Sequence, residues 1–219
     1  MNQSNDLKYL EKFAKEYELE SNRFSCLHIA IRDARMISGS DIKTGKMKYD
    51  ILESSDSFLS PYSFIGIINY LLVLELIGMV FKKRAFTTNK KNSIFKSLKQ
   101  FSSLSDTDID VIISLRNSLA HNYGLVNIPE SQKEYKNKRH LFTLINTESA
   151  QLIDYPNKSW NGSYKTKMND MYTKIGVHKL FDLVESVYLN LKSSLEQGDV
   201  DYALDGGIEE LKTRFTIMH

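Results

Sequence analysis

Four residues of this 219-residue chain, Arg116, Asn117, His121 and Tyr123, fall close together in the stretch IDVIISLRNSLAHNYG, Ile109 to Gly124. Arginine holds its charge at every physiological pH, histidine exchanges a proton near neutrality, and a carboxamide and a phenol add hydrogen-bonding groups. On a helix, at about 100° per residue with Arg116 as origin, Ile109, Ile112, Ile113 and Leu119 lie within about 60° of it. Arg116 therefore sits inside an apolar stripe. A guanidinium cannot shed its charge, so in that position it needs a carboxylate, a phosphate or a wet cleft. Asn117 and His121 lie together at about 100° to 140°, and Tyr123 returns to the side of Arg116 if the helix persists that far. The four can line one rim at a helix end.

The helix that would carry them has readable ends. Ser105, Asp106 and Thr107 supply N-cap oxygens and Gly124 offers a C-terminal stop. Its natural neighbour is the most apolar segment of the chain, SPYSFIGIINYLLVLELIGMVFKKR, with Ser60 as cap, Pro61 at the first helical position and an apolar run from Phe64 to Phe81. The run approaches a membrane-spanning length. Glu75 near its middle would cost about 2.5 to 3.5 kcal/mol on insertion, and Asn69 adds to that, so the expectation is a central bundle helix surrounded by neighbours and no membrane. Glu75 and Arg116 are then two charges on faces that should be buried. The economical solution is that they meet.

The remaining elements frame these two. Helices are expected over residues 6 to 20, from Ser21 or Asn22 to about Ile37, and over residues 92 to 101, with a connector at 38 to 59 holding a short helix near Tyr49 to Ser54. The second helix places His28 and Arg32 one turn apart beside Asp33, the pattern of a charged helix edge. Residues His140 to Ile145 and Ala150 to Tyr155, separated by a polar turn, read as a β-hairpin inside an insertion at about 126 to 166. A long helix from Lys167 to about Leu195, with His178 on its polar side, and a last helix from Gly198 to Phe215 complete a single domain, 1 to 219. The fold class expected is mainly α, an up-and-down helical bundle with a small β-hairpin insertion.

Composition narrows the chemistry. Hydrophobic residues at 42% and charged residues at 26% are an ordinary soluble globular balance. The single Cys26 excludes a disulfide framework and a thiolate metal cluster and suits a reducing cytoplasm, and the polar N-terminus has no secretory h-region. No phosphate loop, nucleophile elbow, zincin motif or paired metal-ligand spacing occurs, so no cofactor and no metal are expected. A net charge of +2 says little, but Lys82, Lys83, Arg84, Lys90, Lys91, Lys96 and Lys99 follow one another with no acidic residue among them. Such a strip can track a phosphate backbone. Lys136, Lys138, Arg139, His140, Tyr155, Trp160, Tyr164, Lys165 and Lys167 form a second, basic and aromatic rim, a mixture that grips phosphate and stacks bases.

The segment Arg116-Asn117-Ser118-Leu119-Ala120-His121-Asn122-Tyr123 resembles the R-x4-6-H signature of the HEPN superfamily in its R-N-x-x-x-H form, with the Tyr two residues after the His that marks HEPN toxins paired with nucleotidyltransferase antitoxins. The resemblance covers eight residues, near the end of a late helix. It implies a bundle of HEPN type and a metal-independent endoribonuclease acting as a toxin or defence effector. RNA supplies its own nucleophile in the 2′-hydroxyl, so the protein need add only a proton-transfer group and a cation for the charge on the phosphorane. By the resemblance, His121 takes the first role and Arg116 the second, Asn117 orients the His or hydrogen-bonds the phosphate, Tyr123 contacts the phosphate or a base, and Glu75 orients Arg116, leaving a 2′,3′-cyclic phosphate. The implied partners are RNA, bound also by Lys82, Lys83, Arg84, Lys90, Lys91 and Arg139, a second copy of the chain that doubles the motif, and an antitoxin or other defence protein. The alternative is a HEPN-like module that binds RNA or nucleotide, or dimerises, without cleaving.

Overall fold

Four helices pack around one apolar helix. The computed structural model describes residues 3–20, 22–46, 63–128, 139–147 and 149–218. In it α3 (Phe64–Val80) buries Ile67, Tyr70, Leu71, Val73, Leu74 and Ile77 completely. It is apolar on nearly every face because α2 (Cys26–Ile37), α4 (Ser93–Phe101), α5 (Asp106–Asn122) and α6 (Val177–Glu196) all contact it. Its cap among the described residues is Ser63, whose Oγ accepts from the Gly66 N–H at 3.3 Å, while Ser60 and Pro61, expected to open the helix, lie outside the described residues. Where α3 crosses the start of α4, a Cβ on Gly78 would stand 1.8 Å from the Ser93 carbonyl oxygen. Only glycine lets the two backbones approach that closely. Among the described residues no helix is long and apolar enough to cross a membrane.

The all-helical expectation fails. Among the described residues the chain is 54% helical with seven α-helices, but 17% is strand in three sheets, so the fold is mixed α/β and not an up-and-down bundle. Two of the sheets are short ladders at helix ends. The first helix, α1 (Gln3–Lys15), gives way to β1 (Glu18–Glu20), which pairs with β2 (Arg23–Ser25), and β2 pairs in turn with β9 (Thr216–Met218) at the other end of the chain. The last helix expected from Gly198 is broken in the same way: β8 (Val200–Tyr202) pairs antiparallel with β3 (Phe81–Lys83), and α7 (Gly207–Arg214) follows. Strands of three residues are too short for an alternating pattern to stand out against a helical one.

The third sheet replaces the expected hairpin. Its order is β4 (Val126–Asn127), β5 (His140–Ile145), β7 (Tyr172–Gly176), β6 (Ile153–Asp154). β5 and β6, the two arms of that hairpin, do not pair with each other. They flank β7, β5 parallel to it over Leu141 to Ile145 and β6 antiparallel. Tyr172–Gly176 falls inside the long helix that the sequence predicts from Lys167, because Ile175 continues the helical spacing of Leu180 and Val184. The helix proper, α6, starts at Val177. A parallel pair needs a long crossover, and residues 146 to 171 provide it, anchored by Trp160, which is buried and donates Nε1–H to the Ser163 carbonyl at 3.0 Å. The short helix expected near Tyr49 to Ser54 lies outside the described residues.

Behind the core, Arg35 of α2 and Glu185 of α6 form a buried two-point pair at 2.8 and 2.6 Å, joined by the Tyr70 hydroxyl at 3.2 Å. This pairing was not anticipated, although Arg35, one residue after the buried Ala34, sits on the inward face. Arg32 is taken by Asp33 at 2.8 Å, as the helix-edge reading has it. His178 is buried, not exposed on a polar side.

Candidate active site

The motif helix α5 is opened by Ser105, whose Oγ accepts from the Asp108 N–H at 3.2 Å and donates to the Asp108 carboxylate at 2.7 Å. Tyr155, directly after β6 of the third sheet, donates its hydroxyl to the same carboxylate at 2.7 Å, which ties that end of the sheet to the start of the helix. The far end closes on Tyr123. Its N–H donates to the Leu119 carbonyl at 3.0 Å and the Gly124 N–H to the Ser118 carbonyl at 3.2 Å, with Tyr123 itself in the left-handed region at φ 46°, ψ 42°. This is the position that glycine usually fills, and an L side chain there costs about 1–2 kcal/mol. The helix therefore stops at Asn122, and Tyr123 does not return to the side of Arg116 by continuing it. The phenol ring instead meets Phe64, the first residue of α3, edge to face at 5.3 Å and stays 62% exposed. Sequence reasoning had passed over Phe64. Its only signal was its place at the start of the central helix.

The structure places Glu75 of α3 against Arg116 of α5. Arg116 donates from Nε at 3.1 Å and from Nη2 at 2.8 Å to the same oxygen, Glu75 Oε2. With Phe64 touching Tyr123 at one end and Glu75 touching Arg116 further along, α3 and α5 run antiparallel. The pair is only partly shielded, 28% of the Glu75 side chain and 20% of the Arg116 side chain remaining accessible. The desolvation problem that an arginine in an apolar stripe poses is thus met by a carboxylate at the edge of solvent.

The outer half of the guanidinium faces the motif. Its Nη1 lies 3.1 Å from His121 Nε2 and 3.5 Å from the Asn117 carboxamide oxygen. Arginine has donors only, so in this arrangement His121 Nε2 is the acceptor and the ring proton sits on Nδ1. Of the five guanidinium N–H groups, one on Nη2 is left over. His121 is exposed and Asn117 half-buried. A phosphate arriving at this ledge would take the spare Nη2–H and displace His121 from Nη1, which would release the Nε2 lone pair for proton transfer. Glu75, Arg116, Asn117 and His121 thus form one connected set, and Tyr123 stands beside it on the Phe64 ring.

The basic residues do not join it. Lys82 and Lys83 are on β3 with Arg84 directly after, at the end of α3 away from Tyr123, and Lys82 is seven residues beyond Glu75. Lys82, Arg84, Lys90 and Lys91 are exposed, while Lys83 lies over the Phe101 ring and Lys90 over the Phe95 ring, each at 5.3 Å. Arg139 precedes β5, next to the strand that leaves the motif helix, and donates Nη1 to the Asn161 carbonyl at 2.8 Å. His140 beside it stacks on Phe142 at 5.1 Å, and burial pushes its pKa down to about 4, which leaves it neutral and poorly placed to donate a proton. Burial also lowers the pKa of His28, next to Tyr188. Among the described residues, His121 is thus the histidine that combines exposure with a cationic hydrogen-bond neighbour. Compared with protein-family models, curated proteins and solved structures, the chain gives no match in any of the three.

Proposed function

We propose that the protein is a metal-independent endoribonuclease of the HEPN kind, used as a toxin or defence effector in the cytoplasm. The observation that carries the reading is the hydrogen-bonded line Glu75, Arg116, His121, in which a carboxylate holds a guanidinium and the guanidinium holds an imidazole lone pair at 3.1 Å. The helical bundle that the resemblance implied does not stand, so the proposal rests on the motif and its geometry. Arg116 and Asn117 bind the scissile phosphate. His121 Nε2 takes the proton of the 2′-hydroxyl as its oxygen bonds to phosphorus, and the bond to the 5′-oxygen breaks. Arg116 offsets the charge on the phosphorane. The products are a 2′,3′-cyclic phosphate and a 5′-hydroxyl, the latter protonated by His121 of a second copy. An exposed apolar flank beside the motif, with Ile65 at 52% and Leu72 at 41% exposure, supports pairing of two copies there. Labelled RNA incubated in EDTA with wild type and His121→Ala tests the reading: cleavage by wild type alone is expected, and equal cleavage by both, or none by either, rejects it.

The same flank favours a second reading, a HEPN-like module that binds RNA or dimerises with a partner such as an antitoxin and does not cleave. Its signature would be RNA retention by wild type with no product and with affinity unchanged in His121→Ala.

A further inference from the structure

Away from the motif, β3, the loop that follows it, α4 and Ala203 after β8 border an open pocket of about 210 Å³ lined by Phe81, Lys82, Phe86, Thr88, Lys96, Gln100 and Ala203. Its wall is fixed by hydrogen bonds. The Gln100 carboxamide accepts from the Lys83 N–H at 2.6 Å and donates to the Lys96 carbonyl at 2.8 Å. The Phe86 N–H closes a turn on the Lys83 carbonyl at 2.9 Å, and Thr88 Oγ1 accepts from the Lys90 N–H at 3.1 Å, leaving its hydroxyl proton for another acceptor. The charge is one-sided. From Lys82 to Lys99 the chain has seven cationic residues and no acidic one. Lys99 is committed to Asp106 at 2.7 Å, whereas among the described residues Lys82 and Lys96 make no ion pair, although Asp201 stands opposite Lys82 across the β3 and β8 ladder. Two lysines, a threonine hydroxyl and the Phe86 ring thus line the same pocket. That combination recognises a phosphate attached to a flat, stackable group.

We infer that this cavity binds a nucleoside monophosphate unit, the phosphate on Lys82 and Lys96 and the base against Phe86. The volume is below the roughly 300–1,000 Å³ of sites for drug-sized ligands, so a nucleotide would seat its phosphate and one face of its base and keep the rest in solvent. The unit comes either from a free nucleotide or from the 5′-phosphorylated end of an RNA, and both present the same chemistry. The site is independent of the motif and does not require that the protein cleave RNA.

Isothermal titration calorimetry on the full chain with adenosine 5′-monophosphate, inorganic phosphate, and pentanucleotides carrying either a 5′-phosphate or a 5′-hydroxyl tests this directly. Binding of the free nucleotide identifies that source, and binding of the 5′-phosphorylated oligonucleotide alone identifies the RNA end. In either case the K82A/K96A variant should bind at least tenfold more weakly, K82R/K96R should recover most of the loss, and Phe86→Ala should weaken the nucleotide severalfold more than inorganic phosphate. Thermal midpoints equal to wild type confirm that the lysine variants are folded. Absence of binding by all four probes at millimolar concentration overturns the inference. So does equal affinity for inorganic phosphate and the nucleotide, or unchanged affinity in K82A/K96A.

Discussion

Replacing Glu75 tests whether the pair at the centre of the site holds Arg116 in place. In Glu75→Gln the side chain keeps its shape and loses its charge, so two donors, Arg116 Nε and Nη2, exchange a carboxylate oxygen at 3.1 and 2.8 Å for a neutral carbonyl. Fully exposed pairs are worth about 0–1 kcal/mol, and truncating a fully buried one costs about 3–5 kcal/mol. With 20% and 28% of the two side chains accessible, this pair lies between those limits. A loss of about 1–2 kcal/mol follows for Glu75→Gln, or about 2–8 °C in Tm for a chain of this length. The assay is denaturant unfolding of wild type, Glu75→Gln, Arg116→Gln and the double variant. The cycle should return a coupling of at least about 0.5 kcal/mol, as contacting residues do. If the energies of the two single variants simply add, the pair is a surface contact and the account of Arg116 as a guanidinium held by Glu75 is wrong.

Other perturbations separate packing from function. Gly78→Ala forces a methyl into the Ser93 carbonyl, 1.8 Å from the ideal Cβ position, and should destabilise by about 1–3 kcal/mol or more, read as a lower urea midpoint at unchanged m-value. Tyr123→Gly relieves a left-handed φ of 46° but gives up the Phe64 contact, so stability should stay within about 1 kcal/mol of wild type while RNA cleavage falls. A fall in cleavage matched by an equal loss of stability would deny the phenol any role of its own. His140 is neutral in the fold down to about pH 4 and titrates near 6.5 once unfolded, so its contribution is complete above about pH 6.5 and is lost as pH falls toward 4. Urea unfolding at stepped pH should show that decline, on the order of 3 kcal/mol at most, and His140→Gln should flatten it.

The parts of the fold legible in the sequence were those where one pattern dominates over many residues. The central helix Phe64–Val80 and the motif helix with its Ser105 cap are long enough for apolar spacing and capping to agree. The meeting of Glu75 and Arg116 was legible for a different reason: a charge on an apolar stripe is costly alone, and the chain offers few partners on a second such stripe. What was not legible depends on pairing between distant segments. Tyr172–Gly176 has an ambiguous local pattern, and only its partner Leu141–Ile145, some thirty residues earlier, makes it a strand. The ladders at helix ends, Glu18–Glu20 and Val200–Tyr202, are short pieces whose extended form is set by the partner strand. At the site, the stop at Asn122 and the left-handed Tyr123 could not be read from residues that suggest glycine, here Gly124, as the capping position.

The central claim is that His121 and Arg116 cleave RNA through its own 2′-hydroxyl. The most direct measurement compares two labelled oligonucleotides in EDTA, one all ribose and one with a single 2′-deoxy substitution at the mapped cleavage position, with product ends identified by mass spectrometry. The account predicts a 2′,3′-cyclic phosphate and a 5′-hydroxyl from the ribose substrate, no cut at the deoxy position, and loss of at least about a hundredfold in rate for His121→Ala. Cleavage at the deoxy position, or a 5′-phosphate end, would contradict it.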